Sequence, residues 1–409
     1  MTIATTLRVF VPFAAGYFLS YLYRVVNAVI APDLVGDLGV GPSALGLLTS
    51  TYFIAFASSQ LPLGVLLDRF GPRRMEAFLL LFAGLGAYLF SRSETLAGLV
   101  IGRALIGFGV SACLMAAFKA YTLWFDKALW PLVNGFQMAA GGLGALAATS
   151  PVEAALGVTD WRGVFMVLAV LTLVVAATVY SVVPEKPSGG AGERLNDQWR
   201  GVKAVFTSLD FWRTAPLTTM SQAAFLSIQG LWAGPWLRDV AGLERSAVAN
   251  VLMWVAVAMI AGFIGLGALA GRLGRSGLGV LSTAVTGMSL FMAVQLLLLI
   301  VPGTWSRWIW LPFGFFGTSG IIAYAALSQQ FALELSGRVT TAVNLLVFVA
   351  AFTGQWAIGA IIGLWPVGPD GTYALAGYRM GFAVMLGLQV LALVWFGAAG
   401  RMIRHAKAA

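Results

Sequence analysis

Twelve apolar stretches separated by polar turns leave this chain one kind of solvent. A helix crosses the hydrocarbon core of a bilayer in about 20 apolar residues. Runs of that length are read at 8–32, 43–67, 75–92, 95–120, 130–150, 161–183, 212–237, 246–270, 278–301, 305–331, 338–364 and 378–400. A soluble fold could not hide them. The chain is 59% hydrophobic and only 10% charged, against roughly 25% charged in soluble domains. Its mean hydropathy is +0.88. The expected fold class is therefore an all-α membrane protein. Most of the 49 glycines sit inside the apolar runs, where they let helix backbones approach closely. The first run reads as a span and not as a cleaved signal peptide, because it is too long and no cleavage site stands out.

The turns carry a repeat. Gly64 to Arg74 packs Asp68, Arg69, Arg73 and Arg74 between two apolar runs, and a second copy, Gly267 to Gly277, follows 203 residues later. Matching turns at matching places predict an internally duplicated chain. Its expected parts are a six-helix half over 1–183, a linker over 184–211 with Pro184, Pro187, Gly189 and Gly190, and a second six-helix half over 212–409. If the Asp68 turn is cytoplasmic, inner segments hold 16 of the 25 Lys and Arg, outer loops six and the spans three. That asymmetry obeys the positive-inside rule and predicts cytoplasmic termini and linker.

The first turn resembles the loop signature of the major facilitator superfamily, G-x-L-x-D-R-x-G-R-[RK]-[RK]. Gly64, Leu66, Asp68, Arg69, Gly71, Arg73 and Arg74 match, and Pro72 replaces a basic residue. The second copy has Gly271 in place of the acid. The resemblance covers the whole chain. It implies two pseudo-symmetric six-helix bundles that work by alternating access around a site near the membrane midplane. It also implies a bacterial inner-membrane location. Asp68 would bear on the N-terminal end of a helix in the other half, favoured there by the helix dipole, and with Arg69, Arg73 and Arg74 would gate the cytoplasmic side. The alternative is a loop that only fixes topology.

Ionisable groups at membrane depth are candidate functional groups because burying them is costly. Arg24 lies sixteen residues past Arg8, roughly 24 Å along a helix. The pattern Tyr21-x-x-Arg24-x-x-Asn27 resembles the first helix of the organic-anion and organophosphate branches, in which the Arg meets an anionic group. A guanidinium suits a carboxylate or phosphate through paired hydrogen bonds. The competing reading pairs Arg24 with Asp33 or the outer interface. Arg103, in R-x-x-x-G-x-G, resembles a helix-4 signature linked to proton coupling; a structural Arg bonded to carbonyls is the alternative. Lys119 either snorkels or partners Asp68. None of the 16 acids is expected at mid-span, so buried positive charge points to an anionic substrate or one carried with a proton.

Neutral polar residues complete the candidate set. Gln222 and Gln229 share a helical face, as do Asn344 and Gln355, and Trp232 lies beside them. Each one singly is read as a helix–helix hydrogen bond before a ligand contact. Met288 and Met292 share a face, and span 5 is Gly-rich. Neither pattern is completed by the His or the Gly-Pro pair that a copper or exporter motif needs.

One Cys, Cys113, and one His, His405, exclude a disulfide, a His/Cys metal cluster and a Ser-His-Asp triad. No P-loop is present. An enzyme is not expected, nor a cofactor or a nucleic-acid partner, and replacing Cys113 by Ser is expected to be silent. The expectation is a carrier, working as a monomer, that imports a small organic anion with protons. Arg24 and Asn27 would bind, with Gln222, Gln229, Trp232, Asn344 and Gln355 shaping the pocket and Arg103 coupling. Proton-coupled export of amphipathic compounds, uptake of a metal or chelate, and a non-transporting sensor or assembly factor remain as alternatives.

Overall fold

All twelve apolar runs are helical in the computed structural model, which describes residues 3–126, 130–185, 195–275, 279–301, 305, 307–331 and 333–408. No strand occurs among the described residues. Eight helices there are long and apolar enough to cross a membrane, and the pair Thr6–Val25 and Asn27–Leu38, bent by 47°, adds a ninth span. The three remaining runs are helical but interrupted or more polar. Ser59 divides Pro42–Ser58 from Gln60–Phe70. Thr149, whose hydroxyl donates to the Leu146 carbonyl at 2.6 Å, divides Trp130–Ala147 from Ser150–Leu156. Leu209–Ser227 carries Thr214, Thr218, Thr219, Ser221 and Gln222, all buried in protein.

The chain forms two compact units, residues 1–193 and 194–409. Helices fail in corresponding runs of the two units. In the first unit, helix Ile3–Val25 breaks at Val26 before Asn27–Leu38. Pro32 has no N–H for the Ala28 carbonyl and its ring crowds that carbonyl, which loosens this turn. Pro235 stands 203 residues later. The residue four before it, Leu231, lies in a π-helical segment, Ile228–Trp232. The fourth and tenth runs break as well. Leu96–Gly109 gives way at 110–112, where the Ser111 hydroxyl donates back to the Phe108 carbonyl at 2.6 Å. Trp310–Gly317 gives way at 318–319, where Thr318 donates to Phe315 at 2.8 Å. Such hydroxyls compete with the backbone ladder and bend helices.

Each unit ties its first apolar run to its last with one aspartate. Asp37 accepts from the Trp161 indole at 2.8 Å and from Arg162 at 2.6 Å. Asp239, 202 residues further on, accepts from Arg238 at 2.6 Å, the Tyr378 hydroxyl at 2.7 Å and the Tyr373 amide at 3.0 Å. Nearby aromatic rings pack the same ends, with Phe90 against Phe165 and Trp161 in one unit and Trp236 against Trp310 in the other.

The stretch read as linker contains a helix. Helix Leu195–Phe206 packs on Leu333–Ile362, burying Val205 and setting Gly201 against the Arg338 side chain. Charge and Pro/Gly content suggested a linker, but the apolar Val202 and Val205, three apart, give this helix a face to bury. Residues 186–194 lie outside the described residues.

Candidate functional site

The helix break at Val26 sets the geometry of Arg24. Its side chain is 7% exposed. The guanidinium carbon lies 4.4 Å from the Tyr21 ring centre, 5.7 Å from Phe56 and 6.0 Å from Tyr52. Arg103 approaches from helix Leu96–Gly109. It donates to the Tyr23 carbonyl at 3.1 Å, and its guanidinium is 5.3 Å from the same Tyr52 ring. Two buried cations therefore share one aromatic ring, whose negative face attracts them. Tyr52 is held by its own hydroxyl, which donates to the Ser20 carbonyl at 3.2 Å. Behind it, Gly107 allows the helices to touch, since a Cβ there would collide with the Tyr52 carbonyl oxygen.

Asn27 begins the second half of the broken helix and is 1% exposed. Neither its amide nitrogen nor its oxygen has a partner among the described residues. An unpaired buried amide costs about 1–3 kcal/mol, so Asn27 offers an unused donor and acceptor three residues from Arg24. The second unit carries no arginine at the matching position. At the repeat position of Arg24 stands Ser227, which donates to the Ala351 carbonyl at 3.0 Å.

The candidates of the second unit are engaged in helix–helix contacts. Gln222 donates to the Gly317 carbonyl at 3.0 Å and Gln229 to Met259 Sδ at 3.8 Å. Trp232 and Gln355 do come together, the indole donating to the Gln355 carbonyl at 2.9 Å. Asn344 accepts from the Tyr324 hydroxyl at 3.4 Å.

The signature loop is a glycine turn. Helix Gln60–Phe70 ends at Gly71, whose φ of 79° is a conformation that favours glycine, and Pro72 opens the next helix. Arg73 donates to the Tyr180 carbonyl at 2.7 Å and lies 5.0 Å from that ring. Arg73, at 3.7 Å, and Arg74 both pair with Glu185. Arg69 lies over Phe70 at 5.3 Å. These groups, with Leu123 and Trp124, line a cleft of about 260 Å³. The side chain of Asp68 lies outside the described residues, as does any pairing with Lys119, which is half-buried in Cys113–Trp124.

One residue corrects the sequence reading. Glu76 is fully buried, although no acid was expected at membrane depth. It lies near the start of helix Pro72–Arg92 and looked like a span-end residue. The signal was its spacing, since Glu76, Leu80, Ala83, Ala87 and Phe90 form one buried helical stripe. Cys113, given no role by the sequence, faces it: a Cβ on Gly16 would strike Glu76 Oε1 and stand 3.6 Å from Cys113 Sγ.

Helices long and apolar enough to cross a membrane, in two units with a basic loop and two buried arginines, define the class as an integral membrane transporter. The chain belongs to the Major Facilitator Superfamily, whose model matches residues 13–355. It is 25% identical over 61% of its length to a Cupriavidus necator protein named "Probable sulfoacetate transporter", covering 60% of that protein. It is 27% identical over 63% of its length to the hexuronate transporter of Bacillus subtilis, covering 61% of that one. The matches thus span under two thirds of these relatives. Among solved structures, a bacterial homolog of the human lysosomal transporter Spinster superposes with a TM-score of 0.75 at 14% identity, covering 98% of both chains. A D-xylose-proton symporter gives 0.75 at 16% identity, covering 96% of this chain and 97% of the other.

Proposed function

We propose that this transporter takes up a small organic anion together with protons, and that Arg24 binds the anionic group. The observation that carries this reading is the pair of buried guanidinium groups around Tyr52. Two buried like charges on one ring favour any anion that enters, and Arg24 can meet a carboxylate, sulfonate or phosphate through paired hydrogen bonds. Asn27 supplies an amide to orient it. The names of relatives, which include sulfoacetate, L-galactonate and hexuronate transporters, support the same substrate class. Arg103 acts beside Arg24 by fixing the Tyr23 carbonyl at the helix break. The loop of Asp68, Arg69, Arg73 and Arg74 gates the cytoplasmic side, with Lys119 nearby. Trp232, Gln229, Gln355 and Asn344 are polar candidates of the second unit, and Gln222 there holds helices together. The proposed location is the bacterial inner membrane with both termini cytoplasmic.

Proton-driven export is the rival that Glu76 admits, since a buried carboxylate suits an exporter too. The test is a thermal-shift screen of the purified carrier and Arg24→Gln against sulfonates, uronates, sugar phosphates, cationic drugs and metal chelates. A ligand that binds the folded state raises its melting point. Stabilisation by anions that vanishes in Arg24→Gln is the expected result. Stabilisation by drugs or chelates that persists in the mutant would refute the anion site.

A further inference from the structure

We propose that Glu76 is a proton-binding site of the first unit, and that its protonation and release couple the carrier cycle to the proton gradient. The site's existence rests on its own geometry. Only the coupling role rests on the uptake reading above.

Glu76 is 0% exposed, and apart from the Cys113 thiol its carboxyl oxygens have no hydrogen-bond partner among the described residues. Two helices enclose it. Helix Ile3–Val25 offers Gly16, with no room for a Cβ between its backbone and Oε1. Helix Cys113–Trp124 offers the Cys113 thiol, a weak donor, and Tyr121, whose hydroxyl is turned away to donate to Gln137 Oε1 at 2.7 Å. Gln137 in turn donates to the Phe13 carbonyl at 3.1 Å. The titratable groups facing Glu76 are thus Cys113 and Tyr121, with Arg24 acting on the thiol from further along its helix. The helices Gln60–Phe70, Leu96–Gly109 and Trp161–Val182 also pack on Pro72–Arg92. Among the described residues they bring Glu76 no further charged partner.

A carboxylate cannot stay ionised in such a place, because nothing replaces its hydration. Glu76 is therefore a neutral carboxylic acid in this conformation. It can lose its proton only when water reaches it, which requires helix Ile3–Val25 or Cys113–Trp124 to move. Both are built to do so. Gly16 and Arg24 are eight residues apart on one helix, about 12 Å, so a shift of that helix on anion binding is felt at Glu76. The other helix begins just after the 110–112 break. One proton taken up on Glu76 would accompany the anion held by Arg24 and be released when the pocket opens to the other side.

The test compares the full-length wild type with Glu76→Gln, which copies the neutral acid without a proton to lose. Infrared spectra of the purified carrier should show a carboxylic-acid C=O band at neutral pH that is missing from Glu76→Gln. Raising the pH above the ordinary carboxyl range should lower the melting point of the wild type relative to the mutant, because the unfolded chain then releases a proton that the native state still holds. Identical spectra and parallel melting curves would overturn the proposal. In proteoliposomes, using the anion found with Arg24, Glu76→Gln should keep exchange of labelled anion across the membrane but lose at least ten-fold in pH-driven accumulation. Full pH-driven accumulation, or accumulation driven by sodium, would overturn the coupling role. Should no anion be transported by the wild type, the uptake reading fails, while the infrared and melting results still decide the site.

Discussion

Gly107→Ala adds one methyl group at the contact that seats Tyr52. The new Cβ would run into the Tyr52 carbonyl oxygen and lie 2.8 Å from its carbonyl carbon and Cα. All of these are backbone atoms, so no rotamer change relieves the overlap. Ordinary contact begins at 3.4 Å, so the helices Pro42–Ser58 and Leu96–Gly109 must part by roughly 0.6 Å or more. Overpacking of this kind costs about 1–3 kcal/mol. Alanine recovers at most about 1 kcal/mol through helix propensity, which leaves a net loss of up to about 2 kcal/mol even when all of that is recovered. The shift also carries Tyr52 away from Arg24 and Arg103, so anion binding should weaken along with stability. The control is Gly135→Ala, where nothing lies within 4 Å of the added atom. Thermal unfolding in detergent should show a lower midpoint for Gly107→Ala and none for Gly135→Ala, with anion-induced stabilisation reduced only in the former. A Gly107→Ala protein that melts with the wild type and binds anion equally well would refute this account of the contact.

Other variants probe the packing around the site. Asp239→Asn removes charge from an aspartate whose side chain is wholly buried and should cost about 1.5–3 kcal/mol; Asp37→Asn, on a side chain 47% exposed, should cost under about 1 kcal/mol in the same unfolding assay. Gln295 and Gln389 exchange reciprocal amide bonds of 3.0 and 2.9 Å. Either single Leu replacement should destabilise by about 1–3 kcal/mol by orphaning its partner. The double replacement should recover most of that loss, and additive losses would argue against the pairing.

The apolar runs made the helices legible because period and length in a bilayer leave few choices. Arg24 and Asn27 were legible for the same reason, as polar groups stand out against a hydrocarbon background. Glu76 was not, because its sequence position suggested an interfacial end, and only the packing of Gly16 and Cys113 over it buries the carboxyl. Trp232 and Gln355 could not be paired from sequence, since their contact spans 123 residues and runs through a backbone carbonyl. The helix breaks at Ser59, 110–112 and 318–319 were likewise invisible, since they arise where hydroxyls turn back on the ladder.

The two aspartate ties bear on the order in which the chain is made. All the groups of the first tie are in the membrane once Trp161 and Arg162 have been inserted. Residues 1–193 can then close on themselves while the ribosome is still translating the rest. The second tie cannot close so early, because Asp239 waits for Tyr373 and Tyr378, 134 and 139 residues further along the chain. A chain stopped short of Tyr378 would hold a finished first half beside a second half with its fastening acid unsatisfied, which is the kind of half-made membrane protein that quality-control proteases recognise.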